Sequence, residues 1–265
     1  MTGTPPEEAL VRAAALVAEA RKVVVLTGAG ISTDSGIPDF RGPQGVWTKD
    51  PSAERLATIE AYVSDPEVRR RAWRNRREST TWSAQPNAGH RALVALENRG
   101  TLLLLVTQNV DGLHHAAGSD PARVVEIHGT MREVVCLVCD DRHPAEVALA
   151  RVADGEDDPR CRARPSGPDG PECGGLLKSA TISFGQSLVP GDLRRAEEAA
   201  ADCDLLLAVG TSLGVYPAAG LVPLAASRGA RVVIVNAEPT EMDGLADVVV
   251  RGPISSVLPA LVGGA

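Results

Sequence analysis

Val23-Val24-Val25-Leu26-Thr27-Gly28-Ala29-Gly30 is an apolar run that breaks into a pair of glycines. With no charge on either face, Val23 to Leu26 reads as a buried parallel strand, and Gly28-Ala29-Gly30 as the turn after it. In such a turn glycines let the backbone come close to a pyrophosphate, and the free amides of a helix start favour its negative charge. An ordinary strand-to-helix turn is the competing reading. Position 33, where a dinucleotide fingerprint would carry its third glycine, is Thr33.

Working outward, similar apolar runs recur at 102–106, 124–127, 205–209, 232–235 and 248–250. Helical patterns lie at 7–20, 88–98, 190–202 and 217–228. Strands alternating with helices predict an α/β fold, a Rossmann-like parallel sheet covered on both faces. Two stretches interrupt the rhythm. Residues 43–86 are charged and helix-like, with Arg69-Arg70-Arg71 and then Arg74, Arg76 and Arg77. Residues 131–180 hold four of the five cysteines and a Gly-, Pro- and Asp-rich segment, 154–175, that cannot form a core of its own. The expected organisation is one Rossmann-like domain (1–42, 87–130 and 181–265) carrying a smaller module made of two insertions. One is helical (43–86) and the other cysteine-rich (131–180).

Aromatic residues make up only 3% of the 265 residues, so a core drawn from the 44% that are apolar must be built of Val, Leu, Ile and Ala. A net charge of −7 argues against general binding to nucleic acid or to anionic membranes. No unbroken apolar stretch approaches the length of a membrane span, and the polar, acidic Met1 to Glu8 does not read as a secretory leader. A cytoplasmic location is therefore expected, where thiols stay reduced. Cysteines there read as metal ligands or buried thiols before disulfides. Cys136 and Cys139 form a C-x2-C knuckle, and Cys161 and Cys173 complete a set of four. Four thiolates in a closed site suit one structural zinc, which would supply folding energy to an insertion poor in apolar residues. Two disulfides are the alternative, since eleven residues separate the second pair. Cys203, before a strand, reads as a half-buried free thiol.

The turn continues into Ile31-Ser32 and Ser35-Gly36-Ile37-Pro38-Asp39-Phe40-Arg41-Gly42, which closely resembles the sirtuin signature. Three further segments agree in order: Thr107-Gln108-Asn109-Val110-Asp111-Gly112-Leu113-His114, then His128-Gly129, then Gly210-Thr211-Ser212-Leu213 with Val215 and Pro217. Val110 stands where Ile is commoner. The similarity spans about residues 20–258, and the Arg- and Ala-rich composition fits a bacterial member.

The resemblance implies an NAD-dependent protein-lysine deacylase, a deacetylase first of all, that releases nicotinamide from NAD as it transfers the acyl group to ADP-ribose. On that basis Asn109 and Asp111, just past a strand end, would hold the nicotinamide carboxamide and a water or ribose hydroxyl, beside Ala29, Ile37, Asp39 and Phe40. Gly28, Gly30, Ser32, Thr33, Arg41, Gln108, Gly210, Thr211 and Ser212 would contribute to NAD binding, with Asn236 and Glu238 near the adenosine ribose and Ile254 over the adenine. His128, at a strand end beside a glycine, is the candidate general base. It would take a ribose hydroxyl proton after the acyl oxygen has attacked the ribose carbon. Ile182, Phe184, Gly185 and Val215 would line the path of the acyl-lysine substrate, and Gln186 departs from the usual Glu. Cys173-Gly174-Gly175 falls where some branches place their last zinc ligand.

Residue types alone leave other readings open. Asn109 and Asp111 would also suit helix capping. An ADP-ribosyltransferase would use the same scaffold with a protein nucleophile. A zinc ribbon gripping nucleic acid would make the glycine turns structural, against which the acidic charge counts. Succinyl- and malonyl-preferring sirtuins share a Tyr-x-x-Arg pair on the helical insertion, and this chain has Trp73-Arg74-Asn75-Arg76 there. Arg76 could still pair with a substrate carboxylate. Trp73, however, larger than a phenol and with one N–H donor, is expected to pack on the core and the arginines to form a solvated face, so neutral acyl groups, acetyl first, are expected.

Overall fold

The computed structural model describes residues 7–40, 42, 45–50 and 57–263. Six parallel strands form the main sheet in the order β3-β2-β1-β7-β8-β9. They are β1 (Val23–Thr27), β2 (Leu102–Thr107), β3 (Val124–Glu126), β7 (Leu205–Val209), β8 (Arg231–Val235) and β9 (Val248–Val250). The order reverses at β1, so β1 has β2 on one side and β7 on the other. In open parallel sheets that switch point opens a crevice at the carboxyl ends of the strands, where ligands bind.

Both faces of the sheet are covered, which is why its strands lack polar alternation. Val23, Val25, Leu105, Leu207 and Val233 pack with the helices Glu7–Glu19, Ala88–Asn98 and Ile254–Gly263. Val24, Leu26, Leu104, Leu206 and Ile234 pack on the other side with Pro190–Asp202 and Leu221–Ser227. Each fully buried Val or Leu side chain contributes about 1.5–3 kcal/mol. The 217–228 helical pattern resolves into a 3-10 turn, Ala218–Gly220, followed by the α-helix Leu221–Ser227.

Outside that sheet, two stretches, 46–77 and 129–181, fold against each other. The first supplies the helices Val46–Lys49, Ile59–Ser64 and Pro66–Arg77, the last with Asp65 capping the Glu67 amide. From the second come β4 (Gly129–Cys136), β5 (Arg142–Pro144) and the helix Ala145–Ala153. Its antiparallel sheet, in the order β5-β4-β6, is completed by β6 (Leu177–Thr181). Trp73 is buried against Val134, Ala148, Val152 and Leu177 in a small core that also contains Cys136 and Cys161. Two polar ties cross the same boundary. Arg69 Nε donates to both Asp158 oxygens at 3.1 and 3.0 Å, and Tyr62 Oη donates to the Leu177 carbonyl at 2.7 Å. No helix among the described residues is long and apolar enough to cross a membrane.

Candidate active site and zinc centre

The loops after β1, β2 and β7 meet at the switch point. Gly28 N–H donates to Val209 O at 3.0 Å, and Gly30 N–H to Gly210 O at 2.8 Å. The glycines therefore have a second reason to be glycine. A Cβ on Gly28 would stand 2.7 Å from Gly210 O, and one on Gly210, where φ is +60°, would stand 2.5 Å from the Ile31 nitrogen. Both separations are shorter than carbon tolerates, so the two strand-end loops touch through bare backbone. The turn opens a 3-10 helix, Ala29–Ser35, and ends at Gly36 with φ of +84°. The α-helix start expected to face a pyrophosphate is thus replaced by a tighter turn.

Against this turn the β2 loop sets a buried polar cluster. Ser32 Oγ donates to Asp111 Oδ2 at 2.7 Å, and Asn109 Nδ2 donates to Gly28 O at 3.1 Å and to Ser32 Oγ at 3.2 Å. Gln108 Nε2 reaches Thr211 Oγ1 at 2.9 Å. Asp111 Oδ1 accepts the Leu113 N–H at 2.9 Å, so Asp111 does support the next helix, Leu113–Ala117. The other oxygen faces Ser32, so support of the helix occupies only one of the two. Behind the cluster His90, buried beside Asn87, is pushed by burial down to about 4. His114 is pushed well below 6.5 by burial and the neighbouring histidines. Both stay neutral at pH 7 and act as packing and hydrogen-bonding groups.

His128 follows β3. Its Nδ1 lies 3.1 Å from Gln108 O, a carbonyl that can only accept, so Nδ1 carries the proton and Nε2 is left basic. Burial lowers its pKa below 6.5, while the bond to Gln108 opposes the shift. A neutral imidazole with a free Nε2 at the cleft wall is suited to take a proton at pH 7.

The strand-end glycines, the Ser32–Asn109–Asp111 cluster, Gln108, Thr211 and His128 open on one cleft of about 1140 Å³, with His90 and His114 outside its wall. It is lined by Gly28, Ala29, Gly30, Ser32, Thr33, Ile37, Asp39, Phe40, Gln108, Asn109, Asp111, His128, Ile182, Phe184, Gly185, Gly210, Thr211, Ser212, Val215, Asn236, Glu238 and Ile254. Every described candidate outside the cysteine set is among them, and Arg41 lies outside the described residues. A cleft this size exceeds the usual small-ligand pocket, leaving room for an extended dinucleotide beside a lysine side chain. Phe40 and Phe184 remain partly exposed in its walls. Gln186, where a Glu is usual, accepts the Ser183 N–H at 2.8 Å through its amide oxygen, an acceptor role that a carboxylate would also fill.

Several lining residues were not expected. Arg76 lies in the cleft wall with Tyr62, Trp73 and Lys178. The solvated face expected of the arginines beside Trp73 is therefore broken at Arg76, which is half-buried in the cleft wall, and upstream Arg69 is buried. Lys178, only 3% exposed, is lowered to about 8 by burial and then by Arg76. In sequence a lone Lys in a short strand reads as a solvent-facing residue, so nothing marked it.

Cys136, Cys139, Cys161 and Cys173 bring their Sγ atoms within 4.8 Å of one another. The Cys136–Cys173 and Cys139–Cys161 separations are both 3.7 Å, far beyond a disulfide bond. Sulfurs placed tetrahedrally about one ion at 2.3 Å would lie roughly 3.8 Å apart. The four thiols are free and positioned to bind one zinc ion, and four protein ligands leave no position for substrate. Val138 N–H donates to Cys136 Sγ at 3.4 Å, as a metal knuckle requires.

A parallel sheet with a ligand crevice at its switch point, a buried Asn/Asp/Ser cluster, a histidine with Nε2 free and a separate four-thiolate centre define a nucleotide-using enzyme with a structural metal. The Sir2 family model matches residues 28–217. NAD-dependent protein deacetylase 2 of Streptomyces coelicolor is 53% identical over 242 residues, covering 91% of this chain and 97% of that protein. NAD-dependent protein deacetylase 1 of Bradyrhizobium diazoefficiens is 40% identical over 94% of this chain and 93% of its own length. A Sir2 complex with a p53 peptide and NAD+ superposes with a TM-score of 0.80 at 33% identity, over 94% of this chain and 95% of that one. The chain belongs to the Sir2 family.

Proposed function

We propose that this protein is an NAD-dependent protein-lysine deacylase, with acetyl-lysine as its first substrate. The observation that carries the reading is His128, with Nδ1 tied to Gln108 O and a basic Nε2, in the same cleft as the Asn109–Ser32–Asp111 cluster. The residues fit NAD: close-packed glycines leave bare backbone beside the cleft, and buried polar groups lie at one end. NAD, when bound, supplies a ribose carbon made electrophilic by the departure of nicotinamide.

Asn109 and Asp111 bind and orient the nicotinamide end, with Ser32 fixing the Asp111 carboxylate. Gly28, Gly30, Gly210, Thr211 and Ser212 line the phosphate-bearing stretch, and Asn236, Glu238 and Ile254 the adenosine end. Ile37, Phe40 and Phe184 shield the reacting centre from water. His128 Nε2 takes the ribose hydroxyl proton, and the lysine side chain enters past Ile182, Phe184, Gly185 and Val215. The acyl-lysine is presented by a protein, as the peptide-bound Sir2 structure of similar fold suggests. Free nicotinamide appearing from NAD only when an acetylated peptide is present supports this function. Nicotinamide release that depends instead on an unmodified acceptor protein would favour ADP-ribosyl transfer.

One observation favours a second, broader reading of the acyl chain. Arg76 and Lys178 are neighbouring cations in the cleft wall, without a carboxylate at ion-pair distance among the described residues. Trp73 Nε1 and Ser179 Oγ, in the same wall, are buried without a hydrogen-bond partner among the described residues. Such a wall would accept acyl groups ending in a carboxylate alongside acetyl.

A further inference from the structure

Arg132, near the start of β4, touches the cleft only through the backbone of another residue. Its Nε and Nη2 both donate to the Asp111 carbonyl, at 3.1 and 2.9 Å. Its stem covers Gly112, where φ is +75° and a Cβ would stand 3.3 Å from Arg132 Cγ and 3.1 Å from Nε. The guanidinium carbon lies 5.0 Å from the centre of the Trp82 ring. One residue earlier, Met131 N–H donates to Val110 O at 2.9 Å. Three consecutive loop residues, 110–112, are thus held from behind by the first residues of β4.

The chemistry explains why an arginine suits this place. Its planar fork puts two donors on one carbonyl while its face stacks on an indole, so the side chain is fixed in position and tilt. No carboxylate lies at ion-pair distance from Arg132 among the described residues, so its polar contacts go to the Asp111 backbone. Asp111 needs this support. Its two carboxylate oxygens are committed to Ser32 Oγ and Leu113 N, and its neighbour Gly112 is a left-handed glycine with little intrinsic stiffness.

We propose that Arg132 is a positioning residue for the nicotinamide end of the cleft. It fixes the Asp111–Gly112 backbone so that the Asp111 carboxylate faces Ser32, and through Trp82 it ties that setting to the helical insertion. The proposal rests on the assignment of Asp111 to NAD, and the test separates the two claims. Initial rates are measured on an acetylated peptide with NAD varied and with nicotinamide as product inhibitor, for wild type, Arg132→Met, Arg132→Lys and Asp111→Asn. Loss of a charged hydrogen-bond pair corresponds to about a tenfold effect. Arg132→Met should raise both the KM for NAD and the nicotinamide concentration for half inhibition by that factor, while the KM for peptide stays within about twofold. Arg132→Lys keeps a cation and a donor and should recover part of the loss.

Wild-type constants in Arg132→Met, alongside shifted constants in Asp111→Asn, overturn the proposal and leave the assignment of Asp111 standing. Unchanged constants in Asp111→Asn overturn that assignment and the proposal with it. Equal losses for both substrates with a lowered Tm, unrelieved by lysine, reduce Arg132 to a structural role and also overturn it. If Arg132→Met does not fold, Arg132→Lys decides alone. Intermediate NAD constants with unchanged peptide constants support the proposal, and wild-type constants refute it.

Discussion

Gly28→Ala adds one methyl group where the loops after β1 and β7 meet. The new carbon would stand 2.7 Å from Gly210 O and from Thr211 Cβ, and both neighbours must move to restore ordinary contact. Gly28 has φ of −128°, so alanine suffers no conformational penalty and the whole effect is overpacking. Such overpacking costs about 1–3 kcal/mol. Gly100→Ala isolates the opposite effect: φ is +79° and nothing lies within 4 Å of the new carbon, so only the left-handed conformation, about 1–2 kcal/mol, is charged. Gly210→Ala, with φ of +60° and a 2.5 Å clash, combines the two at roughly 2–5 kcal/mol. For a chain of this size each kcal/mol lowers Tm by about 2–4 °C. Thermal melts with and without NAD read both consequences. Gly28→Ala and Gly210→Ala should lose the NAD-induced rise in Tm because the loops that form the site are forced apart. Gly100→Ala should melt earlier yet keep the full rise. A Gly28→Ala protein as stable as wild type would show that the loops yield freely. One that is destabilised but keeps the NAD-induced rise would show that NAD binds elsewhere.

Other expectations use different readouts. His128→Gln should lower kcat by about a hundredfold or more while NAD still raises Tm, and near-normal turnover would remove His128 as the base. Because burial holds the His128 pKa below 6.5, the acid limb of kcat/KM should fall below pH 6.5, and a limb centred above 7 would contradict that environment. His90, lowered from 6.5 to about 4, is neutral in both folded and unfolded chains at high pH. As pH falls below 6.5 only the unfolded chain gains the proton, so about 3 kcal/mol of stability is lost by pH 4. Urea melts of wild type and His90→Asn over that range should differ in slope, and parallel curves would refute the assignment. Elemental analysis should find one zinc per chain, and Cys136→Ser should lose it and melt early; active, reduced protein without zinc would defeat this. Arg76→Leu should lower kcat/KM on a succinyl-lysine peptide at least tenfold, as loss of a charged pair implies, and leave the acetyl version within a few-fold. Equal effects on both would deny Arg76 any role in reading the acyl end.

The main sheet was legible because a strand buried on both faces must be apolar throughout, and Val23–Leu26 and Leu205–Val209 are written that way. The antiparallel β5-β4-β6 sheet was not. Its strands mix Arg132, Glu133, Cys136 and Lys178 with apolar residues, since β4 ends in one of the four clustered cysteines and β6 borders the cleft. Asn109, Asp111 and His128 were legible by position at strand ends, and the cleft unites them. The glycines were found for an incomplete reason, because contact between loops far apart in sequence leaves no local trace. Arg76 stood out only by its place in the Trp73–Arg76 segment, with a solvated face the preferred reading, and Arg132 was hidden in a mixed segment where a charge ordinarily means solvent.

The smaller module joins parts that leave the ribosome at different times. Tyr62 waits for the Leu177 carbonyl, 115 residues later in the chain. At 5–20 residues per second that wait is roughly 6–23 s. The core that Trp73 enters is complete only at the end of it, when Leu177 follows Val134 and Val152. The six arginines between Arg69 and Arg77 surround Trp73 in sequence during that interval. Charges flanking an apolar segment in this way disfavour its association with neighbouring chains. Neutralising the exposed Arg71, Arg74 and Arg77 should therefore lower soluble yield during synthesis more than it lowers the Tm of the finished protein.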